Sequence, residues 1–434
     1  MSAVNMDGGI TEHFPDEEED EEEINSNTNK NIVKYGDIGM KPLGFMDDVW
    51  NASSSVENAQ RDNNRMERMV ESKLLDLNLD KSCFLLAGSE KARKKLQKEV
   101  DRRPIILCEA VMNQVTQERY LGCTVAGSVA DSVAATVAGR IGLASRSIYE
   151  ARAVMEDSRA SAAGGSTLGF QIWEAAVIPM LLWGCETWHT VPKKTMNQLN
   201  AISLKQIRVS MGIGKQGFII PCLYFECGIL SMENRILLKK LLFHFHVFNL
   251  PESRLAKNFH STQLRLSLPG IASQCQETLN DWNMGDLTKF TKYSFKKAVT
   301  TKIRKKNKDE LIEKMKKYKK VDYREYEKRE FKMSEYFHKL NVEDSRMRLR
   351  AKLGMVPSIR NNFRNNKKFK DENYQCPDCL ALGITDKKDD QEHVLTSSCV
   401  ANSDLRMGRN LDQDQDICDF FRDLVNRRLE RHGA

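Results

Sequence analysis

The stretch Gly44-Phe45-Met46-Asp47-Asp48-Val49 decides how the rest of the chain is interpreted. Leu43 and Trp50 extend the apolar flanks on either side of the two aspartates. This pattern predicts a tight β-hairpin whose acidic turn points towards a cleft. Two carboxylates held that close together are suited to bind divalent cations of the kind used in two-metal phosphoryl transfer. A solvent-exposed acidic turn is the alternative, and Asp389-Asp390 is a second such pair in this acid-rich chain.

Further patterns follow the hairpin in a fixed order. They are Leu77-Asn78-Leu79-Asp80-Lys81, then Tyr120-Leu121-Gly122, then the segment 178–188 (Ile-Pro-Met-Leu-Leu-Trp-Gly-Cys-Glu-Thr-Trp), and last Cys376-x2-Cys379 with His393 and Cys399. The order resembles the later part of a non-LTR (LINE-type) retrotransposon reverse transcriptase. That family has a Phe-x-Asp-Asp motif, a Leu-Asn-x-x-Lys motif, a Tyr-Leu-Gly primer grip, a helical thumb and a CCHC zinc knuckle. The resemblance extends over residues 31 to 430.

The resemblance implies an α+β fold, in which a truncated reverse-transcriptase palm precedes a mostly helical thumb and connection region and a small zinc knuckle. The implied activity is RNA-directed DNA synthesis from deoxynucleoside triphosphates, with an RNA template and a DNA primer or target DNA as partners. Asp47 and Asp48 would bind Mg²⁺ or Mn²⁺, and Lys81 would lie near the leaving pyrophosphate. Tyr120, Leu121 and Gly122 would hold the primer end. Without the resemblance, Lys81 is a solvated or helix-terminal lysine, and Tyr-Leu-Gly is core followed by a turn.

Five segments are expected. Residues 1–30 form a disordered acidic segment, because they are poor in large apolar groups and contain eight consecutive acids at 16–23. Residues 31–127 form a partial palm, 128–250 a helical thumb, 251–370 a linker and basic helical region, and 371–434 the zinc knuckle with a C-terminal helix. The family places a third catalytic aspartate and the fingers before the hairpin. Because nothing in 1–30 matches them, we expect a polymerase fragment that is inactive alone.

Local patterns predict the individual elements. A long helix starts near Ser53, with Ser54 and Glu57 at capping-box spacing and an apolar face that reaches Leu74. Strands are predicted at 83–86, 105–107 and 119–125, with a basic helix capped by Ser89 between the first two. Residues 131–248 are predicted to be mostly helical, 249–285 to be a looser linker, and 402–429 to be an amphipathic helix with Ile417, Phe420, Phe421, Leu424 and Val425 on one face.

The most basic part of the chain lies at 289–320, where lysine greatly outnumbers acid. The residues expected to contact a phosphate backbone are Lys296, Lys297, Arg304, Lys305, Lys306, Lys316, Lys317, Lys319 and Lys320. A nuclear-import signal or a solvated helical face would have the same composition. The aromatics between these lysines, and the tryptophans of 178–188, could stack on bases, although at helical spacing they are more typical of a core. His244 and His246 lie two apart on a predicted helix and therefore point away from each other.

Cys376, Cys379, His393 and Cys399 form a C-x2-C-x13-H-x5-C pattern. Four such ligands complete a zinc tetrahedron and leave no open position, so the predicted Zn²⁺ is structural and would stabilise its loop by on the order of 10 kcal/mol. Free cysteines in a polar loop are the alternative. A second possible function is a non-catalytic zinc-dependent nucleic-acid-binding protein, in which the thumb, the basic helices and the zinc knuckle bind RNA or DNA and the Asp pair is a relic. A third alternative is a decayed fragment of such an element with no cellular task.

Composition bounds the cellular context. The chain of 434 residues has a mean hydropathy of -0.52 and a formal charge of +7 despite its acidic run. This balance suits a nucleic-acid partner. The most apolar run, 170–183, is too short to span a bilayer, and no secretory leader is recognisable at the start of the given sequence. We therefore expect nuclear or cytoplasmic localisation, where the eleven cysteines are more typical of metal ligands than of disulfides.

Overall fold

The structure, a computed structural model, describes residues 43–45, 48–50, 52–158, 165–211, 213, 218–318, 321–352, 382, 405 and 414–432. These residues all belong to one compact unit, Met40–Ala434. Their secondary structure is mostly helical, with a few short strands near the start. The predicted disordered segment 1–30 lies outside the described residues.

The first two strands have the pairing that the opening stretch predicts. Strands β1 (Leu43–Phe45) and β2 (Asp48–Trp50) are antiparallel, with Leu43 opposite Trp50 and Phe45 opposite Asp48. The two residues between the strands, Met46 and Asp47, lie outside the described part.

The first helix is confirmed, but its start and its apolar face differ from the prediction. Helix α1 spans Val56–Ser72 and is capped by Ser55, whose side chain accepts a hydrogen bond from the Asn58 N–H. The predicted capping box of Ser54 and Glu57 is therefore wrong by one residue. Leu74 lies beyond the helix at a positive φ of 56° and is 94% exposed, so it is not part of the packed face.

One short strand precedes the second helix in the chain and five follow it. Helix α2 (Glu90–Arg102) begins at the predicted cap, Ser89. The strands are β3 (Cys83–Phe84), β4 (Ile106–Leu107), β5 (Ala110–Val111), β6 (Asn113–Gln114), β7 (Gln117–Tyr120) and β8 (Cys123–Ala126). They pair as β3 with β6 in parallel, and as β4 with β5 and β7 with β8 in antiparallel. In the described residues the strands thus form separate two-stranded sheets.

Two of the predicted strands need correction. The segment 83–86 is a half-buried strand of two residues rather than a buried strand of four. The segment 119–125 is a hairpin, because Leu121 and Gly122 both have positive φ, at 47° and 76°, and reverse the chain between β7 and β8. Positive φ at both central residues is the backbone of a type I′ hairpin turn.

The helix α3 (Val129–Ser158) covers the outer edge of this hairpin. The Ser132 hydroxyl accepts the Ala126 N–H at 2.8 Å, and the Thr136 hydroxyl accepts the Thr124 N–H at 2.8 Å. These residues are four apart on one helix face. Their hydroxyls satisfy the outward backbone groups of β8, which would otherwise need another strand.

The predicted helical region 131–248 is confirmed as mostly helical. It contains α4 (Gly165–Ile172), a π-helical turn at Trp173–Val177, α5 (Ile178–Leu181), α6 (Lys193–Met211), α7 (Ile220–Glu226) and α8 (Met232–Phe248). One core joins α3, α5 and α6 around Val137, Trp173, Leu181 and Leu199, all with 1% exposure or less.

The prediction of a loose linker at 249–285 is wrong. Helices α9 (Leu255–Arg265) and α10 (Ile271–Asp281) occupy most of this segment. The residues at their N-cap positions, Arg254 and Gly270, make no capping hydrogen bond with a side chain. Burial of Cys275 and Leu279 in a core with α8 and the next helix stabilises α10. The buried His260 joins α9 to α8 through a hydrogen bond with His244.

The remaining described elements are α11 (Lys292–Met315), α12 (Tyr323–Lys328), α13 (Tyr336–Lys339), α14 (Val342–Lys352) and α15 (Asp414–His432). The last helix confirms the predicted amphipathic segment over part of its length, with Ile417, Phe420, Phe421 and Leu424 buried in a core shared with α7 and the end of α11. The side chain of Val425 lies outside the described residues.

A buried carboxylate joins the elements around the core that α7 shares with α11 and α15. Glu226, at the end of α7, is fully buried and accepts hydrogen bonds from Arg329 at 2.6 Å and 3.3 Å, from the Tyr336 hydroxyl at 3.2 Å, and from the Ser334 hydroxyl. The Lys352 Nζ lies 3.4 Å away. Burial raises the pKa of Glu226, but hydrogen bonding to Arg329 and the charges of Lys352 and Arg329 outweigh it and hold the pKa below its ordinary value.

Candidate nucleic-acid interface

Of the Asp47-Asp48 pair, the structure describes only the backbone of Asp48. Asp48 is the first residue of β2 and pairs with Phe45. Asp47 and the side chain of Asp48 lie outside the described residues, as do Lys319 and Lys320 and the four predicted zinc ligands Cys376, Cys379, His393 and Cys399. Within the described part, no group of three His, Cys, Asp or Glu side chains is placed to hold a metal ion.

Lys81 ends a short 3₁₀ turn, Leu79–Lys81, and its side chain is exposed. The side chain of Asn78 accepts the Lys81 N–H at 3.2 Å and so caps this turn. The Asn and the Lys of the Leu-Asn-x-x-Lys pattern are therefore linked by local geometry. An exposed ammonium on a capped turn is available to a phosphate group.

The Tyr-Leu-Gly pattern occupies the β7–β8 turn. Tyr120 ends β7 and is half-buried, whereas Leu121, at the tip of the turn, is 44% exposed. Gly122 is the second turn residue, and its φ of 76° lies in a region that favours glycine. The turn thus presents one apolar side chain to solvent.

Arg140 holds this turn against a second one. Its guanidinium donates to the Gly122 carbonyl at 2.8 Å and to the Trp183 carbonyl, and it lies 3.4 Å from the Cys123 Sγ. The Arg140 side chain is only 6% exposed. In the part of the chain that the structure describes, no carboxylate pairs with it. A positive charge is therefore buried directly behind the two turns.

The second turn is packed closely against the first. Gly184 has a φ of 68°, and a Cβ placed there would lie 3.0 Å from the Cys123 Sγ. The Trp183 Nε1–H donates to the Leu121 carbonyl at 3.3 Å. Two sequence patterns more than fifty residues apart, Tyr-Leu-Gly and the 178–188 segment, thus meet at one point of the surface.

The tryptophans of the helical region do not share one environment. Trp188 is buried, which agrees with the interpretation of the aromatics of 178–188 as core, and Trp173, outside that segment, is buried as well. Trp183 is 61% exposed and is therefore not a core residue. Trp183 lies in the turn after α5.

The basic helix α11 has two distinct faces. Phe295, Val299, Ile303, Asn307 and Leu311 recur every four residues and are buried. The first seventeen residues, 292–308, contain eight Lys or Arg and no acid. Of these, Lys296, Lys297, Lys302, Arg304 and Lys305 are exposed and have no ion-pair partner within the described residues.

The second half of the helix is less available to an anion. Lys306 lies 3.9 Å from Glu310, and Lys316 lies 2.5 Å from Glu313. Most aromatics that the sequence places between the lysines are at least partly buried, and among the described ones only Tyr293 and Tyr318 are exposed. Lysine side chains, rather than interleaved rings, therefore dominate the exposed face of α11.

The two histidines of α8 do lie on different sides of that helix. His246 is exposed, while His244 is buried, with its Nδ1 2.9 Å from the His260 Nε2. Burial lowers the pKa of His244 to about 4, and the neighbouring His260 adds to the shift. The pair is a neutral, hydrogen-bonded contact between α8 and α9.

Sequence reasoning missed Arg140, although a signal was present. Arg140 is the one charged residue between Asp131 and Arg146, in a stretch of small and apolar residues. A lone arginine in such a stretch indicates a buried group that needs polar partners.

No helix among the described residues is long and apolar enough to cross a lipid bilayer. Comparison of the chain with family models, with curated proteins and with solved structures gave no match.

Proposed function

We propose that this chain is part of an RNA-directed DNA polymerase of the LINE type, and that its described region binds the primer end of a primer–template duplex. The observation that carries the proposal is the contact made through Arg140. It joins the Tyr-Leu-Gly turn to the turn of the thumb-like 178–188 segment. Both patterns contribute to the family resemblance, and they adjoin although Arg140 belongs to neither of them.

The turn offers what a primer end requires. A polymerase depends on positioning, because a misplacement of about 1 Å of the attacking hydroxyl is costly in phosphoryl transfer. The Leu121–Gly122 turn is held by the hairpin, by the guanidinium of Arg140 and by Trp183. It is therefore a rigid element with an exposed tip.

The side chains at the predicted metal sites have the donor atoms that the expected metal ions prefer. Two adjacent carboxylates, Asp47 and Asp48, are the hard oxygen ligands that Mg²⁺ or Mn²⁺ prefers. When bound, such ions would activate the primer hydroxyl and neutralise the pyrophosphate. Lys81, exposed on its capped turn, would contact the phosphates of the incoming deoxynucleoside triphosphate. Cys376, Cys379, His393 and Cys399 have the soft and borderline donors of a structural Zn²⁺ site.

The test compares two hairpin-closed RNA/DNA duplexes of equal length and charge. One ends in a recessed DNA 3′ end and the other in a recessed 5′ end. We expect the full chain to bind the 3′-recessed duplex more tightly in fluorescence polarisation at 150 mM salt. Equal affinity for both would overturn the proposal.

Catalysis is tested separately with deoxynucleoside triphosphates and Mg²⁺ or Mn²⁺. Primer extension that disappears in both Asp47→Ala and Asp48→Ala would assign the carboxylates to the reaction. Extension that persists in these variants would remove the pair from the proposed metal site.

A second candidate function, non-catalytic and zinc-dependent nucleic-acid binding, is favoured by the exposed lysines of α11. It predicts equal affinity for the two duplexes, loss of affinity on zinc chelation, and no effect of Asp47→Ala. The exposed lysines of α11 would contribute to nucleic-acid affinity under both candidate functions. Lys296→Gln and Lys297→Gln should each reduce the slope of log affinity against log salt by about 1.

A further inference from the structure

Trp183 is a large aromatic side chain whose position is fixed and whose surface is open. Of the four tryptophans whose side chains the structure describes, it is the one that is exposed, at 61%. Its Nε1–H is satisfied by the Leu121 carbonyl, and its own carbonyl accepts from Arg140. An exposed indole usually loses conformational freedom when it binds, whereas this one is already ordered.

The indole meets the turn with one edge. A Cβ placed on Gly122 would lie 3.8 Å from the Trp183 Nε1 and 3.9 Å from its Cδ1. The edge that carries the N–H therefore faces the turn, and the exposed area belongs to the rest of the ring. Leu121, at the tip of the same turn, adds a second exposed apolar side chain.

The charge near this surface favours an anionic ligand. Arg140 is buried beneath both turns and has carbonyl partners but no described carboxylate partner. A buried charge is screened less than a surface one, so its field reaches the exposed turn. An apolar protein partner would gain nothing from this charge, while a nucleic-acid strand supplies both a π-face for the indole and phosphates for the guanidinium field.

We propose that Trp183 is a stacking platform for the terminal base of the primer strand, with Leu121 as its neighbour and Arg140 as the residue that positions it. This inference rests on the proposed function and adds a binding residue to it. Base stacking on an aromatic ring is tolerant of sequence, because every base has a π-face. The platform therefore selects a strand end and not a base.

The experiment uses the full chain and a 3′-recessed RNA/DNA duplex with 2-aminopurine as the last primer nucleotide. Stacking on an indole quenches 2-aminopurine fluorescence, so saturating protein should quench the terminal probe more than the same probe placed five nucleotides inside. Trp183→Ala should abolish the excess quenching and weaken binding about fivefold or more. Trp183→Phe keeps a ring and should retain most of the affinity.

Tyr149→Ala is the matched control. Tyr149 is 58% exposed on α3 and contacts Lys205 through its ring, so it is an aromatic of similar exposure outside the turns. We expect no change in its quenching or affinity. Circular dichroism checks that each variant is folded.

The outcomes separate the two proposals. If the wild type prefers the recessed 3′ end but Trp183→Ala behaves like Tyr149→Ala, the platform is refuted and the proposed function stands. If the terminal and internal probes are quenched equally, the platform is also refuted. If the wild type binds no nucleic acid, the proposed function fails and the platform fails with it.

Discussion

Arg140→Lys is the sharpest test of the contact between the two turns. The substitution keeps the positive charge and removes the planar fork. A guanidinium presents several N–H groups in a fixed geometry, whereas an ammonium is a point charge on a flexible stem. One Nζ cannot replace two guanidinium nitrogens that bond to Gly122 and Trp183 on different sides.

The expected loss follows from these bonds. A hydrogen bond to a charged group contributes about 1.5 to 3 kcal/mol. If the lysine retains one of the two carbonyls, the variant should lose about that amount in free energy of unfolding. Both carbonyls belong to exposed residues and can be rehydrated, so the loss should not include the full penalty of a buried unsatisfied acceptor.

Two measurements check the prediction. Urea unfolding should show a lower midpoint at an unchanged slope, and the preference for the recessed 3′ end should fall because the two turns are no longer held together. Arg146→Lys, an exposed arginine of the same helix, is the control and should change stability by less than about 0.5 kcal/mol. Wild-type stability and wild-type end preference in Arg140→Lys would refute the role of the fork.

Other predictions concern the stability of the scaffold. Arg329→Ala should destabilise the fold by about 3 kcal/mol in urea, because it leaves the buried Glu226 without its bidentate partner; a loss below about 1 kcal/mol would contradict this. Since the folded pKa of Glu226 is lowered, its contribution is present above the unfolded pKa of about 4.3 and is lost as the pH falls through the folded pKa. Glu226→Gln should therefore show a flatter decline of thermal midpoint below pH 4.5 than the wild type, and parallel curves would contradict the assignment. Gly228→Ala should lower the midpoint strongly, because φ is 62° and a Cβ would lie 2.4 Å from the backbone nitrogen of residue 333. Thr136→Val should cost about 1 to 3 kcal/mol by leaving an N–H of β8 unsatisfied, whereas Thr136→Ser should not.

Elements that depend on local chemistry were predictable. Ser89 marks the start of α2, and the four-residue spacing of Phe295, Val299 and Ile303 marks the buried face of α11. Elements without a local signal were missed. The N-cap positions of helices α9 and α10 are Arg254 and Gly270, which make no side-chain cap, so only tertiary burial identifies these helices.

The candidate interface was predictable only in its parts. The Tyr-Leu-Gly pattern and the 178–188 segment are visible in the sequence, but the contact between them is not. Arg140 bonds to main-chain carbonyls 18 and 43 residues away, and a carbonyl has no side-chain identity that a sequence could reveal. The same limit applies to Trp183, because only its position in a turn distinguishes it from the buried Trp173.

The geometry of α3 explains why an arginine stands at position 140. Four residues of a helix rise about 6 Å, and two residues of a strand extend about 6.6 Å. Ser132, Thr136 and Arg140 can therefore meet Ala126, Thr124 and Gly122 in sequence. At Ala126 and Thr124 a hydroxyl accepts the N–H and also lies within 3.4 Å of the carbonyl of the same residue. At Gly122, in the turn, the bonded group is the carbonyl, so the helix residue that meets it is a donor. The second nitrogen of the guanidinium also reaches the neighbouring turn. The position of the proposed primer contact is thus determined by the register between one helix and one strand.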